Sequence, residues 1–117
     1  MAKPRYTVVM TACFRPEAQF AAQLVRIDAE TRERDCAAAL DFWLGLADER
    51  IAGIIFIENT GASLEALKQR CEARNPRGIP CEFISISCNQ TPPGFHYGYA
   101  EFRMIDEGLQ RSRLYAD

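Results

Sequence analysis

Three apolar runs, each closed by turn-forming residues, set the frame of this chain. Residues 6–13, Tyr-Thr-Val-Val-Met-Thr-Ala-Cys, are rich in β-branched and apolar types and stop at Phe14-Arg15-Pro16. Pro16 disfavours helical geometry at Arg15, so the run reads as a strand, apolar enough to be buried on both faces. Residues 51–57, Ile-Ala-Gly-Ile-Ile-Phe-Ile, form the strongest strand signal and end at Glu58-Asn59-Thr60-Gly61. A third run, residues 81–88, partly alternates after the punctuation Asn75-Pro76-Arg77-Gly78-Ile79-Pro80, which places it nearer a sheet edge.

Helical spacing fills the intervals. Cys36, Leu40, Trp43, Leu44 and Ala47 recur on one stripe, as do Leu64, Leu67 and Cys71 behind a Ser63 cap. A last helix, starting near Tyr99, carries Phe102, Ile105 and Leu109 on its apolar stripe, with Met104 to one side. Residues 16–34 form a long polar connection that holds either a short helix around residues 17–24 or a functional loop. The order strand, helix, strand, helix, strand, helix predicts an α/β fold. It is a small three-layer, Rossmann-like parallel sheet of about three strands with flanking helices. No linker interrupts the 117 residues, so one α/β domain is expected over residues 1–117.

Composition narrows the function classes. Fourteen Lys and Arg against sixteen Asp and Glu give a formal net charge of −2. No global positive field exists to hold a phosphate backbone, so no nucleic-acid partner is expected. No apolar run reaches the roughly 20 residues of a membrane span, and no secretory leader stands at the N-terminus. A cytoplasmic location is therefore expected. Five cysteines with no Cys-x-x-Cys pair argue against a disulfide framework and a structural zinc site, and read as packed, reduced thiols. His96 is the single histidine, flanked by Phe95 and Tyr97, and no second ligand stands at metal spacing. Phosphate-loop and dinucleotide fingerprints are absent, as is a nucleophile elbow.

Candidate chemistry gathers beyond the carboxyl ends of the strands, where open parallel sheets bind ligands. Thr11, Cys13 and Arg15 follow the first strand, and Arg15 is either a phosphate contact or a solvated arginine. Glu58 and Asn59 follow the second. Glu58 is placed equally well to accept hydrogen bonds from a ribose or a base and to cap the backbone N–H groups of its own loop. Gly98, Tyr99 and Glu101 open the last helix, whose unpaired N–H groups and dipole favour a polar or anionic ligand. The aromatics Phe95, Tyr97 and Tyr99 either stack on a base or pack the loop.

The segments Val8-Val9-Met10-Thr11-Ala12, Ala39-Leu40-Asp41-Phe42-Trp43-Leu44 leading to Ile54-Ile55-Phe56-Ile57-Glu58-Asn59-Thr60-Gly61, and Gly98-Tyr99-Ala100-Glu101 together resemble the N-terminal half of a GT-A-fold glycosyltransferase. They are similar to the family 2 enzymes of bacterial cell-surface polysaccharide synthesis. The resemblance implies a nucleotide-diphosphate sugar as donor, bound by Thr11, Cys13, Arg15, Glu58, Asn59, Gly98, Tyr99 and Glu101. It also implies Mg²⁺ or Mn²⁺ held by an Asp-x-Asp motif after a fourth strand, with the catalytic base and acceptor site beyond it. This chain does not carry that motif. Asp28-Ala29-Glu30 and Glu33-Arg34-Asp35 have similar letters but fall in the polar connection. No catalytic residue is assigned, no metal ligand is assigned, and the isolated chain is expected to be inactive. Its first strand would leave an exposed sheet edge for a homo-oligomer or a partner chain. The alternative is a non-catalytic α/β module that binds a nucleotide or a protein.

Overall fold

The computed structural model describes residues 4–15, 28–46, 48–96 and 98–116. Three strands, β1 (Tyr6–Ala12), β2 (Ile51–Glu58) and β3 (Cys81–Ser85), form a parallel sheet in the order β1-β2-β3. Four helices follow the strands: α1 (Ala29–Gly45), α2 (Glu65–Ala73), α3 (Gly98–Arg111) and the short α4 (Arg113–Ala116). The expected small α/β fold, a parallel sheet with flanking helices, is the one observed. The helix expected within residues 17–24, and the positions Ala47 and Tyr97, lie outside the described residues.

Alternation along β2 explains the three layers. Ile54 and Phe56 point to one face, where Leu40 and Leu44 of α1 and Leu67 and Cys71 of α2 bury them. Ile55 and Ile57 point to the other, against Met104 of α3. Both faces of β2 are thus covered, which is why its run is almost uniformly apolar. The first strand differs from expectation. It is not buried on both faces, because β2 holds the centre and β1 has a neighbour on one side only; Tyr6, Thr7 and Val9 are exposed. The third strand lies at the other edge, as its mixed pattern predicts, but it leaves the ladder after Ser85. Ile86 N–H donates to the Glu58 carbonyl at 2.9 Å and Cys88 N–H to the Asn59 carbonyl at 3.0 Å, so this stretch still lines the end of β2.

Three helices are also corrected. The polar stretch up to Arg34 is not all connection: α1 begins at Ala29, and Asp28 caps it by accepting from Thr31 N–H at 2.9 Å and the Thr31 hydroxyl at 2.8 Å. Its first turns are polar because only the later residues Ala37, Leu40 and Leu44 reach the sheet. In α3 the buried stripe is Ala100, Met104 and Gly108, while Phe102 is 75% exposed. Gly108 decides this seating. A Cβ there would stand 2.4 Å from Ile57 Cδ1 and 2.9 Å from Ile57 Cγ1, so glycine lets α3 lie directly on β2. The expected Ser63 cap is not the one observed: Leu64 is the N-cap of α2 and makes no side-chain cap bond, while the Ser63 hydroxyl, one residue earlier, accepts from Glu65 N–H at 3.4 Å. None of the five cysteines is in a disulfide; Cys71 and Cys88 are buried, and Cys13, Cys36 and Cys81 are half-buried.

Asp41 of α1 joins the two helices of one layer. It accepts from Arg70 of α2 through Nε at 3.1 Å and Nη2 at 2.6 Å, and from Arg74 Nη1 at 3.2 Å. The Arg70 hydrogen bonds hold the Asp41 carboxyl below its ordinary value of 3.8. A carboxyl depressed in the folded state contributes stability that is present above that ordinary value and is lost as pH falls through the depressed one. Urea titrations at pH 6 and pH 3 should therefore show Asp41→Asn losing less stability on acidification than the parent chain. A second pair of substitutions tests the seating of α3. Gly108→Ala should lower stability by about 1 kcal/mol despite the better helix former, because overpacking outweighs propensity. Gly45→Ala, where nothing lies within 4 Å of the added carbon, should be neutral or raise it by up to about 1 kcal/mol. Thermal unfolding reads both signs.

Candidate functional site

The end of β2 is organised by one carboxylate. Glu58 is completely buried. Its Oε2 accepts from Phe14 N–H at 2.8 Å and from the Thr60 hydroxyl at 2.5 Å, and its Oε1 accepts from Thr60 N–H at 2.8 Å and Ala62 N–H at 3.1 Å. Both oxygens are thus committed to the chain itself. Of the two roles open to Glu58, the geometry gives it the capping of its own loop and of the turn after β1. Asn59 is buried as well: its N–H donates to the Ala12 carbonyl at 3.1 Å, and its Oδ1 has no hydrogen-bond partner among the described residues. Gly61, at φ 73°, turns the loop away, with its α-carbon close to the Ser87 hydroxyl.

Above this knot lies a cleft of about 410 Å³, lined by Thr11, Ala12 and Cys13 from the end of β1, Arg32, Asp35 and Cys36 from α1, and Glu101 from the first turn of α3. Its position follows from the topology. Thr11 points to the α3 face and its hydroxyl donates to Glu101 Oε1 at 2.7 Å, tying strand to helix. Arg32 crosses from the opposite layer, and its Nε donates to the Cys13 carbonyl at 2.5 Å. The cleft therefore straddles the end of β1 between two helical layers, with one guanidinium and two carboxylates on its walls. Burial pushes the Cys36 thiol up, the strongest influence on it, so this sulfur stays protonated near neutrality and is a poor nucleophile.

The sequence-selected residues separate into three groups. Thr11, Cys13 and Glu101 come together in the cleft. Glu58 and Asn59 lie beneath it, inside the protein. Arg15, Gly98 and Tyr99 do not line it. Arg15 is exposed and its carbonyl accepts from Asn89 Nδ2 at 3.3 Å. Gly98 N–H donates to His96 Nδ1 at 3.0 Å, which caps α3 locally. The Tyr99 ring meets Phe95 edge-on at 5.3 Å, so these aromatics pack on each other. Arg32, Asp35 and Cys36 are not among the site residues that the sequence selects: Cys36 reads there as a packing residue of the first helix, and Arg32 and Asp35 as part of the polar stretch before it. The signal was present in Asp28 and Thr31: a cap at Asp28 starts the helix at Ala29 and brings 32, 35 and 36 onto one face.

Among the described residues no three His, Cys, Asp or Glu side chains gather so as to hold a metal ion. Asp35 and Glu101 reach the cleft from separate helices.

If Glu58 holds the end of the sheet, its removal must cost stability. Glu58→Ala strands buried N–H donors and should destabilise the chain by about 3 kcal/mol or more in urea unfolding. A residue whose only role is to meet a ligand would leave the midpoint unchanged.

Comparison with protein-family models, with curated proteins and with solved structures finds no match for this chain.

Proposed function

We propose that the cleft at the end of β1 binds the nucleoside part of a nucleotide-diphosphate sugar, and that the chain is a glycosyltransferase-like donor-binding domain. The observation that carries this reading is the cleft itself. It opens beyond the carboxyl end of a parallel strand, its volume of about 410 Å³ suits a small ligand, and it sets hydrogen-bond acceptors opposite a cation. Asp35 and Glu101 are placed to accept from ribose hydroxyls, Thr11 to orient Glu101, and Arg32 to offset the negative charge of the ligand. Glu58 supports the site from below without touching the ligand. These residues bind; none of them is assigned a part in a transfer step, and the reading involves no metal held by them.

A second reading, a non-catalytic module that binds a protein, draws support from the exposed edge of β1.

Calorimetry with UDP, GDP and their sugar conjugates, with and without Mn²⁺, separates the two. Binding of at least one nucleotide is expected without added metal. Asp35→Asn and Glu101→Gln should each weaken it roughly tenfold, the worth of a hydrogen bond to a charged group. No binding of any of these nucleotides, or binding indifferent to both substitutions, refutes the nucleotide reading.

A further inference from the structure

The outer edge of β1 is built without the devices that keep edge strands apart. Over Tyr6–Ala12 there is no charged residue and no proline, and among the described residues nothing pairs with its outer side. Natural edge strands are usually shielded by charges, prolines, short length or a covering loop. Here seven residues of uncharged backbone edge remain, with Tyr6 at 55% and Val9 at 41% exposure.

The helix above the sheet extends the same surface. Ala100, Met104 and Gly108 seat α3 on β2, and Glu101 reaches sideways to Thr11 of β1. Further round the helix, at about 100° per residue, Ile105 follows Glu101 on the flank toward β1, whereas Phe102 points away from the sheet. Ile105 is only half-buried within one chain, so part of the apolar surface of α3 on that flank is left uncovered.

We infer that β1 pairs antiparallel with β1 of a second copy of this chain, about a two-fold axis normal to the sheet that passes between the two Val9 residues, forming a continuous six-stranded sheet. The occupant is argued from self-complementarity. About that axis Val9 meets the partner's Val9, Val8 the partner's Met10, Thr7 the partner's Thr11 and Tyr6 the partner's Ala12. Every cross-strand pair is apolar, or threonine against threonine, and no like charges are opposed. An axis normal to the sheet keeps both α3 helices on one face, so their Ile105 flanks face each other across it. The chain's formal net charge of −2 adds little repulsion between copies. A seven-residue strand is about 23 Å long and the three layers are about 20 Å deep, which gives a face on the order of 500 Å² per partner. A stable dimer typically buries about 800 Å² on each side, so the pairing is reversible rather than permanent.

Sedimentation velocity of the full chain across roughly 5–500 μM, a range chosen to bracket micromolar affinity, tests this directly. A monomer–dimer equilibrium is expected, together with hydrogen exchange at the β1 amides that slows as concentration rises while β2 is unaffected. Val9→Lys, which places a charge at the axis, should shift the equilibrium at least tenfold toward monomer. Thr7→Lys, at an exposed position of the same strand outside the cleft, should do the same and decides the matter if Val9→Lys fails to fold. A chain that stays monomeric throughout overturns the inference. So does a dimer that withstands both substitutions and leaves the β1 amides unprotected.

Discussion

The buried carboxylate of Glu58 is the constraint on which the rest depends. Taking a carboxylate out of water costs several kcal/mol, and only a full set of charge-assisted hydrogen bonds offsets that cost. Here four donors do so, and they come from two different connections: Phe14 from the turn after β1, and Thr60 and Ala62 from the loop after β2. One side chain thereby fixes where both strands release the backbone. Cys13, between Ala12 and Phe14, is held in place by its neighbours, and its carbonyl becomes the fixed acceptor for Arg32. The cleft walls are thus positioned by a residue that takes no part in lining the cleft.

This division between support and contact has a general physical basis. A buried ionised group with every lone pair engaged is a rigid anchor, because releasing any donor leaves a charge unpaired in a low-dielectric interior. Ligand contacts demand the opposite, side chains with access to water. Asp35 and Glu101, at the cleft wall, have that access; Glu58 does not. The same economy appears in the opposite helical layer, where Asp41 with Arg70 and Arg74 keeps α1 and α2 in register at the surface while apolar side chains fill the space beneath.

How far all this could be read from the residues depends on which physical signal each element carries. β2 was legible because burial on both faces demands a continuous apolar run, and no other element explains Ile54-Ile55-Phe56-Ile57. The exposure of β1 was not legible, since Val8 and Val9 have the same composition whether a strand is central or at the edge; the missing neighbour is a property of the topology. The start of α1 was hidden by polarity, because turns that rise above the sheet have no apolar face to display. In α3, Leu109 of the expected stripe packs on the core and Ile105 is half-buried, while Phe102 stands outside, because one small residue, Gly108, selects which side of the helix meets Ile57. At the site, residue type marked Glu58 as important but could not separate ligand contact from loop capping. Only the directions of four N–H and O–H groups do that.

The central claim is that a small ligand's place in this fold is the end of β1, between α1 and α3, above the Glu58 knot. A ¹H–¹⁵N NMR titration of the chain with UDP tests it most directly. Shifted amides confined to the stretch from Thr11 to Phe14, to Arg32, Asp35 and Cys36, and to the first turn of α3 are the expected result. Shifts confined to the opposite end of the sheet, around Tyr6, Ile51 and Cys81, or no shifts at all, would contradict it.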